Sequence, residues 1–279
     1  MYFCNVKKTQ PFILFLLIIV AVLAMTSETT AQKTPDKFLA EVESMPRPKA
    51  ITELTKWLDV TAQEGSKEYK RLIASLEEML SEPTWDYHNE ELFALVMEHA
   101  ASASCLSDNE RLRPKMMLDV TRKNVPGIVA HDIDYETLDG NHHKLSDINT
   151  PYTLIYFNDP ECLSCAKVKE RLDTCTTLKN MVSDSTLTVI GIYPYDNVQE
   201  WHLEPFPTFI INGWDYKQEI EGQQTYDLMT MPLFYLLDRD KRVILKNEAS
   251  LNRVIKAMNK LKGMEDSTID DKLDTVWRR

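Results

Sequence analysis

Glycine is scarce in this chain, with 7 glycines against 13 prolines in 279 residues. No Gly-x-Gly-x-x-Gly or Gly-x-x-x-x-Gly-Lys run occurs, which argues against nucleotide binding through a glycine-rich phosphate loop. Positive charge is short as well. Lys and Arg number 32 against 43 Asp and Glu, for a net charge of −11. Nothing on average would neutralise phosphates, so a nucleic-acid partner is not expected. Cysteine is also sparse, at 5. That is too few to staple a chain of this size, so the core must be hydrophobic. The length allows one large domain or two modest ones.

The N-terminus carries an address. A basic start, MYFCNVKK, leads into an uncharged apolar stretch over residues 11–25 and then a small, polar exit, TSETTAQ. This is the layout of a secretory signal peptide over 1–31, with cleavage expected after Ala31. The apolar stretch is short for a span, which needs about 20 residues. An uncleaved N-terminal membrane anchor is the alternative. Cys4 precedes the apolar stretch, so it cannot be the lipidated cysteine of a lipoprotein signal. Either way the folded part is expected outside the cytoplasm, in the periplasm or cell envelope. There disulfides persist, and the mature chain keeps Cys105, Cys162, Cys165 and Cys175.

Residues 32–125 read as a helical domain. ITELTKWLDVTAQ, YKRLIASLEEML and NEELFALVMEHA repeat apolar residues at intervals of three and four. Pro46, Pro48, Pro83 and Pro114 punctuate, and Ser66 and Asn89 are candidate helix caps. The pattern then changes. Alternation around Ile133, Tyr135 and Thr137 followed by Asp139-Gly140 signals a β-hairpin. YTLIYFN and TLTVIGIYP are continuous apolar runs suited to buried strands. Between them stand FNDPECLSCAKV and a helical segment through about Leu178. Residues 196–229 read as an insertion. MPLFYLLD and VILKN make a strand pair about the charged turn RDKR, SLNRVIKAMNKL is a closing helix, and 264–279 is a charged tail. The order predicts an α/β domain over 126–263, with a mixed sheet of four or five strands and helices on both faces.

With these motifs, the segment from Gly127 to about Leu261 resembles the thioredoxin-like fold. It resembles more specifically the secreted bacterial thiol-disulfide oxidoreductases of the TlpA/ResA kind. Three strings carry the resemblance: GIVAHDIDYETLDGNHHKLSDI, YTLIYFNDPECLSCAKV and MPLFYLLDRDKRVILKN. The helical region ahead resembles a domain of unknown function joined to such modules. The resemblance implies exchange of disulfides with disulfide-bearing or dithiol protein substrates, reductive in direction. It also implies a membrane electron donor, and no cofactor beyond the two thiols. It further implies a cis proline facing the cysteines, whose neighbouring backbone pairs with the substrate as an added strand. Pro207 and Pro232 are both candidates. Only Pro232 is followed by strand, turn, strand and closing helix, so Pro232 is expected there, with Met231 over the cysteines.

The residue types fit the chemistry. A thiol attacks a disulfide only as thiolate, and a free cysteine is mostly protonated at neutral pH. At the first turn of a helix, Cys162 would meet unpaired backbone N–H groups that favour the anion. Cys165, one turn further along the same face, would be the sheltered resolving thiol. Glu161 stands directly before the first cysteine, and its charge opposes thiolate formation. Many relatives bury a carboxylate on the preceding strand, where this chain has Tyr156. Proton handling at Cys165 must then fall to Glu161, Asp159 or an acid from the insertion.

Competing readings are weaker. A zinc site needs two more well-spaced ligands, whereas His142 and His143 fall in a hairpin turn and the other histidines are isolated, so no metal is expected. A peroxidase motif wants Thr or Ser three residues before the reactive cysteine and Pro seven before. Relative to Cys162 those places hold Asp159 and Ile155. Cys105 and Cys175 are candidates for a structural disulfide between the domains, or for two free thiols. From a different class comes a non-catalytic envelope scaffold, because fold alone does not prove catalysis.

Overall fold

The structure, a computed structural model, describes residues 34–83 and 85–263. The signal segment and the charged tail lie outside the described residues. Among those residues no helix is long and apolar enough to cross a membrane.

Five helices come first: α1 (Pro35–Glu43), α2 (Arg47–Glu64), α3 (Ser66–Ser81), α4 (Glu90–Ser102) and α5 (Asp108–Thr121). Their apolar stripes converge on one core in which Leu54, Leu58, Leu76, Leu80, Val96 and Met97 are fully buried. The caps are local chemistry. The Asn89 side chain accepts from the Leu92 amide at 3.0 Å, and Ser107 with Glu110 closes a capping box at the start of α5. Ser66 is not a cap. The cap position is Gly65, whose φ of 131° favours a residue without a Cβ. Pro114 does not punctuate either, because it lies buried inside α5. Trp57 packs in this core, whereas Trp85 is exposed.

Seven strands then build one mixed sheet: β1 (Asp134–Thr137), β2 (His142–Lys144), β3 (Tyr152–Phe157), β4 (Leu187–Tyr193), β5 (Ile210–Trp214), β6 (Leu233–Asp238) and β7 (Val243–Glu248). Their order is β2-β1-β5-β4-β3-β6-β7. β3, β4 and β5 are parallel, and the pairs β1–β2, β1–β5, β3–β6 and β6–β7 are antiparallel. β3 is central, so its residues are buried on both faces, as its unbroken apolar run requires. Leu154 and Tyr156 point to one face, covered by α6 (Leu163–Thr174), α7 (Thr176–Ser183) and α10 (Leu251–Lys262). Ile155 and Phe157 point to the other, which receives Ile133, Leu145, Tyr226 and Ile220 of the short α9 (Glu219–Gly222).

Two sequence expectations change. The sheet has seven strands, because the segment read as an insertion supplies α8 (Val198–Leu203), α9 and β5, and β5 joins the hairpin to β4. A Cβ on Gly213 would stand 2.9 Å from the Tyr135 ring of β1, so the glycine serves a close approach between strands. The helix after the cysteines breaks at Cys175, whose extended backbone ends α6 and starts α7.

Polar bonds join the two regions. Lys246 Nζ donates to the Thr121 carbonyl at 2.7 Å and pairs with Glu90 at 3.2 Å. Asn247 Nδ2 donates to Glu90 at 2.8 Å, and Arg253 donates to the Pro83 carbonyl at 2.9 Å.

Candidate functional site

The site lies where β3 ends and α6 begins. The loop Asn158–Glu161 turns the chain through local bonds. The Asp159 carboxylate accepts from the Glu161 amide at 2.9 Å, and its carbonyl accepts from the Cys162 amide at 3.1 Å. Cys162 is thereby set at the N-cap of α6, where its sulfur accepts from the Cys165 amide at 3.2 Å. The cap sulfur thus meets one of the amides that the first turn of a helix leaves without an intrahelical partner. Cys162 is partly exposed, whereas Cys165 is 2% exposed and packs under it.

Burial pushes the Cys165 thiol well above its ordinary value. Its hydrogen bond with Cys162 raises it further, as do the charges of Cys162 and Asp159, while the Asp159 backbone opposes them. Directly beneath, Tyr156 donates its hydroxyl to the Cys165 carbonyl at 2.8 Å. Burial holds the Tyr156 phenol protonated, so this bond anchors the first turn of α6 from the sheet.

Across from the cysteines, the Met231–Pro232 peptide is cis, and the Cys162 thiol donates to the Met231 carbonyl at 3.8 Å. Pro232 therefore stands beside Cys162. Pro207 instead lines an open groove with Phe206 and Tyr135. Leu163, next to Cys162, is 81% exposed, and Met229, two residues before Met231, is 62% exposed. The helical region reaches this rim, since Thr230 donates its hydroxyl to Glu82 at 3.1 Å.

Of the residues named for proton handling, Asp159 lies within electrostatic reach of Cys165. Glu161 is exposed. The two remaining cysteines are not brought together. Cys105 packs on the helical core and Cys175 on the sheet core between α6 and α7, so both are free thiols and the candidate disulfide is absent. Among the described residues no cluster of three or more His, Cys, Asp or Glu is placed to hold a metal. Sequence reasoning missed Lys169, one turn beyond Cys165, which forms an ion pair with Glu204 after α8. Its i, i+4 spacing from Cys165 was visible, but its partner was not.

No family profile and no curated protein matches the chain. Among solved structures it is similar to a thioredoxin-like protein from Bacteroides caccae, with 26% identity and a TM-score of 0.73, over 93% of this chain and 86% of that one. It is also similar to a conserved protein of unknown function from Bacteroides fragilis, with 34% identity and a TM-score of 0.46, over 48% of this chain and 98% of that one. A C-terminal domain of an uncharacterized Bacteroides fragilis protein matches at 31% identity and a TM-score of 0.47, over 49% of this chain and 98% of that one. The fold is thioredoxin-like, and helices precede it.

Proposed function

We propose that this chain is a thiol-disulfide oxidoreductase of the cell envelope, of the TlpA/ResA kind, which reduces disulfides in protein substrates through Cys162 and Cys165. The observation that carries the reading is the asymmetry of the pair. One sulfur is accessible and takes a helix amide, while the other is buried one turn behind it.

In this mechanism the Cys162 thiolate attacks a substrate disulfide. One substrate sulfur leaves as thiolate and the other bonds to Cys162. Cys165 then loses its proton to water and attacks the Cys162 sulfur. The mixed disulfide breaks, the second substrate sulfur leaves as thiolate, and two electrons have passed from the pair to the substrate. Met231 and Pro232 offer backbone beside Cys162 along which an extended substrate segment can pair, and Leu163 and Met229 supply apolar contact. A membrane donor restores the dithiol.

Redox titration of the Cys162–Cys165 pair, together with insulin reduction, tests this. The expected potential is more oxidising than about −300 mV, the region below which structural disulfides lie. Cys162→Ser is expected to abolish insulin reduction. A potential below that value, with wild-type protein inert toward insulin, would leave a scaffold with a stabilising bond.

A further inference from the structure

Lysine and glutamate are seldom withdrawn from water together. Yet Lys169 and Glu204 are paired with side chains only 13% and 17% exposed, and the Lys169 ammonium also lies 5.2 Å from the centre of the Phe206 ring. Such a pair stabilises a fold little better than two apolar side chains would. Its position is informative. Lys169 follows Cys165 by one helical turn on the same face of α6, where the charge of a Cys165 thiolate reaches its ammonium.

The groups that face Cys165 are drawn from several elements: Cys162 on its own helix, Asp159 in the preceding loop, Tyr156 of β3, Tyr195 after β4, and Lys169. Of these five only Lys169 carries positive charge. Asp159 and a Cys162 thiolate both oppose a second anion.

We propose that Lys169, held in place by Glu204 and roofed by Phe206, is a positioning residue that stabilises the Cys165 thiolate during the resolving step. This rests on the reading of Cys162 and Cys165 as an exchange pair. In a thioredoxin-like site whose β3 position beneath the cysteines is a protonated tyrosine, the electrostatic help comes from a cation on the cysteine helix. Cys165 gives its proton to water, the neighbouring ammonium lowers the cost of the resulting anion, and Lys169 keeps its own protons throughout.

The test follows both thiols of the reduced full chain against an aromatic disulfide whose released thiolate absorbs visible light. The wild type is expected to release one equivalent as Cys162 attacks and a second as Cys165 resolves. Lys169→Met should slow the second phase about tenfold, equivalent to one unit in the effective pKa of Cys165, and should shift its pH profile upward. The first phase should be unchanged. Lys169→Arg should restore most of the rate. Because Lys169→Met strands the Glu204 carboxylate, the double variant Lys169→Met/Glu204→Gln is measured beside it and should be slow as well. An unchanged second phase in both variants overturns the proposal. So does slowing confined to the single variant, or equal slowing of both phases. A wild type that releases no first equivalent fails the exchange reading instead, and the two failures are thereby distinguished.

Discussion

The helical region and the sheet region solve the burial problem differently. In the helices, apolar stripes close on a single core, and charge stays at the surface in pairs such as Arg113–Glu77 and Lys70–Glu110. In the sheet region β3 is packed with apolar contacts on both faces, and polar groups are drawn inward around it: Asn158 and Asp215 just past strand ends, Lys169 on α6 and Lys246 within β7. Each of these four has a partner, whereas the Thr153 hydroxyl, buried within β3, has no hydrogen-bond partner among the described residues. The comparison teaches that the reactive cysteines sit in the region that takes polar groups inward, while the helices reach the rim of the site through the Glu82–Thr230 contact and hold β7 through Glu90.

The joint is the sharpest place to test this division. Lys246 is 2% exposed and Glu90 24%. Lys246→Met should cost about 3–5 kcal/mol, because it removes one member of a buried pair and leaves the Thr121 carbonyl bare. Urea unfolding followed by tryptophan fluorescence and by Cys165 alkylation should then separate into two transitions. A single transition at the wild-type midpoint would dissolve the distinction between joint and core.

A smaller effect is expected inside the helices. Leu76→Ala, at a fully buried position, should lower stability by about 2–5 kcal/mol. The rate at which the folded variant reacts with an aromatic disulfide should stay at the wild-type value. A slower first phase would show that the helical core shapes the thiol site after all.

The smallest effect concerns acid. Glu110, exposed at the start of α5, is held down from 4.5 to about 2 by Lys70 and then by the Ser107 capping box. A carboxylate with a depressed folded value contributes stability above its unfolded value and loses it as pH falls. The stability advantage of wild type over Glu110→Gln should therefore be full above pH 4.5 and shrink toward pH 2. A gap constant over that window would mean that the capping box, not the charge, matters.

Much of this was legible in the chain because it is local. The apolar runs of β3 and β4 could only be buried strands, and the Asp139-Gly140 pair closes the hairpin of β1 and β2. Cys162 and Cys165 declared their shared helix by spacing. The elements after Met231-Pro232 picked that proline over Pro207. What escaped depends on partners distant in sequence. β5 lies in the segment read as an insertion, and its partners are β1 and β4, far away in sequence. Pro114 lies in the middle of α5, where its missing N–H forfeits a helix bond, and the helix continues past it. The Lys169–Glu204 pair joins α6 to the segment after α8, and no periodicity announces such a meeting.

Gly191, in the middle of β4, has a role larger than its size. A Cβ there would overlap the Phe206 ring, which now lies flush on the strand and against Lys169. One absent methyl group thus decides whether an aromatic lid can lie flat. Any side chain at this place would lift the lid and wet the ammonium beneath, and water would dilute its pull on a neighbouring sulfur. The dryness that gives a surface helix its chemical leverage is set, in this molecule, from the sheet face beneath that helix by a hydrogen atom.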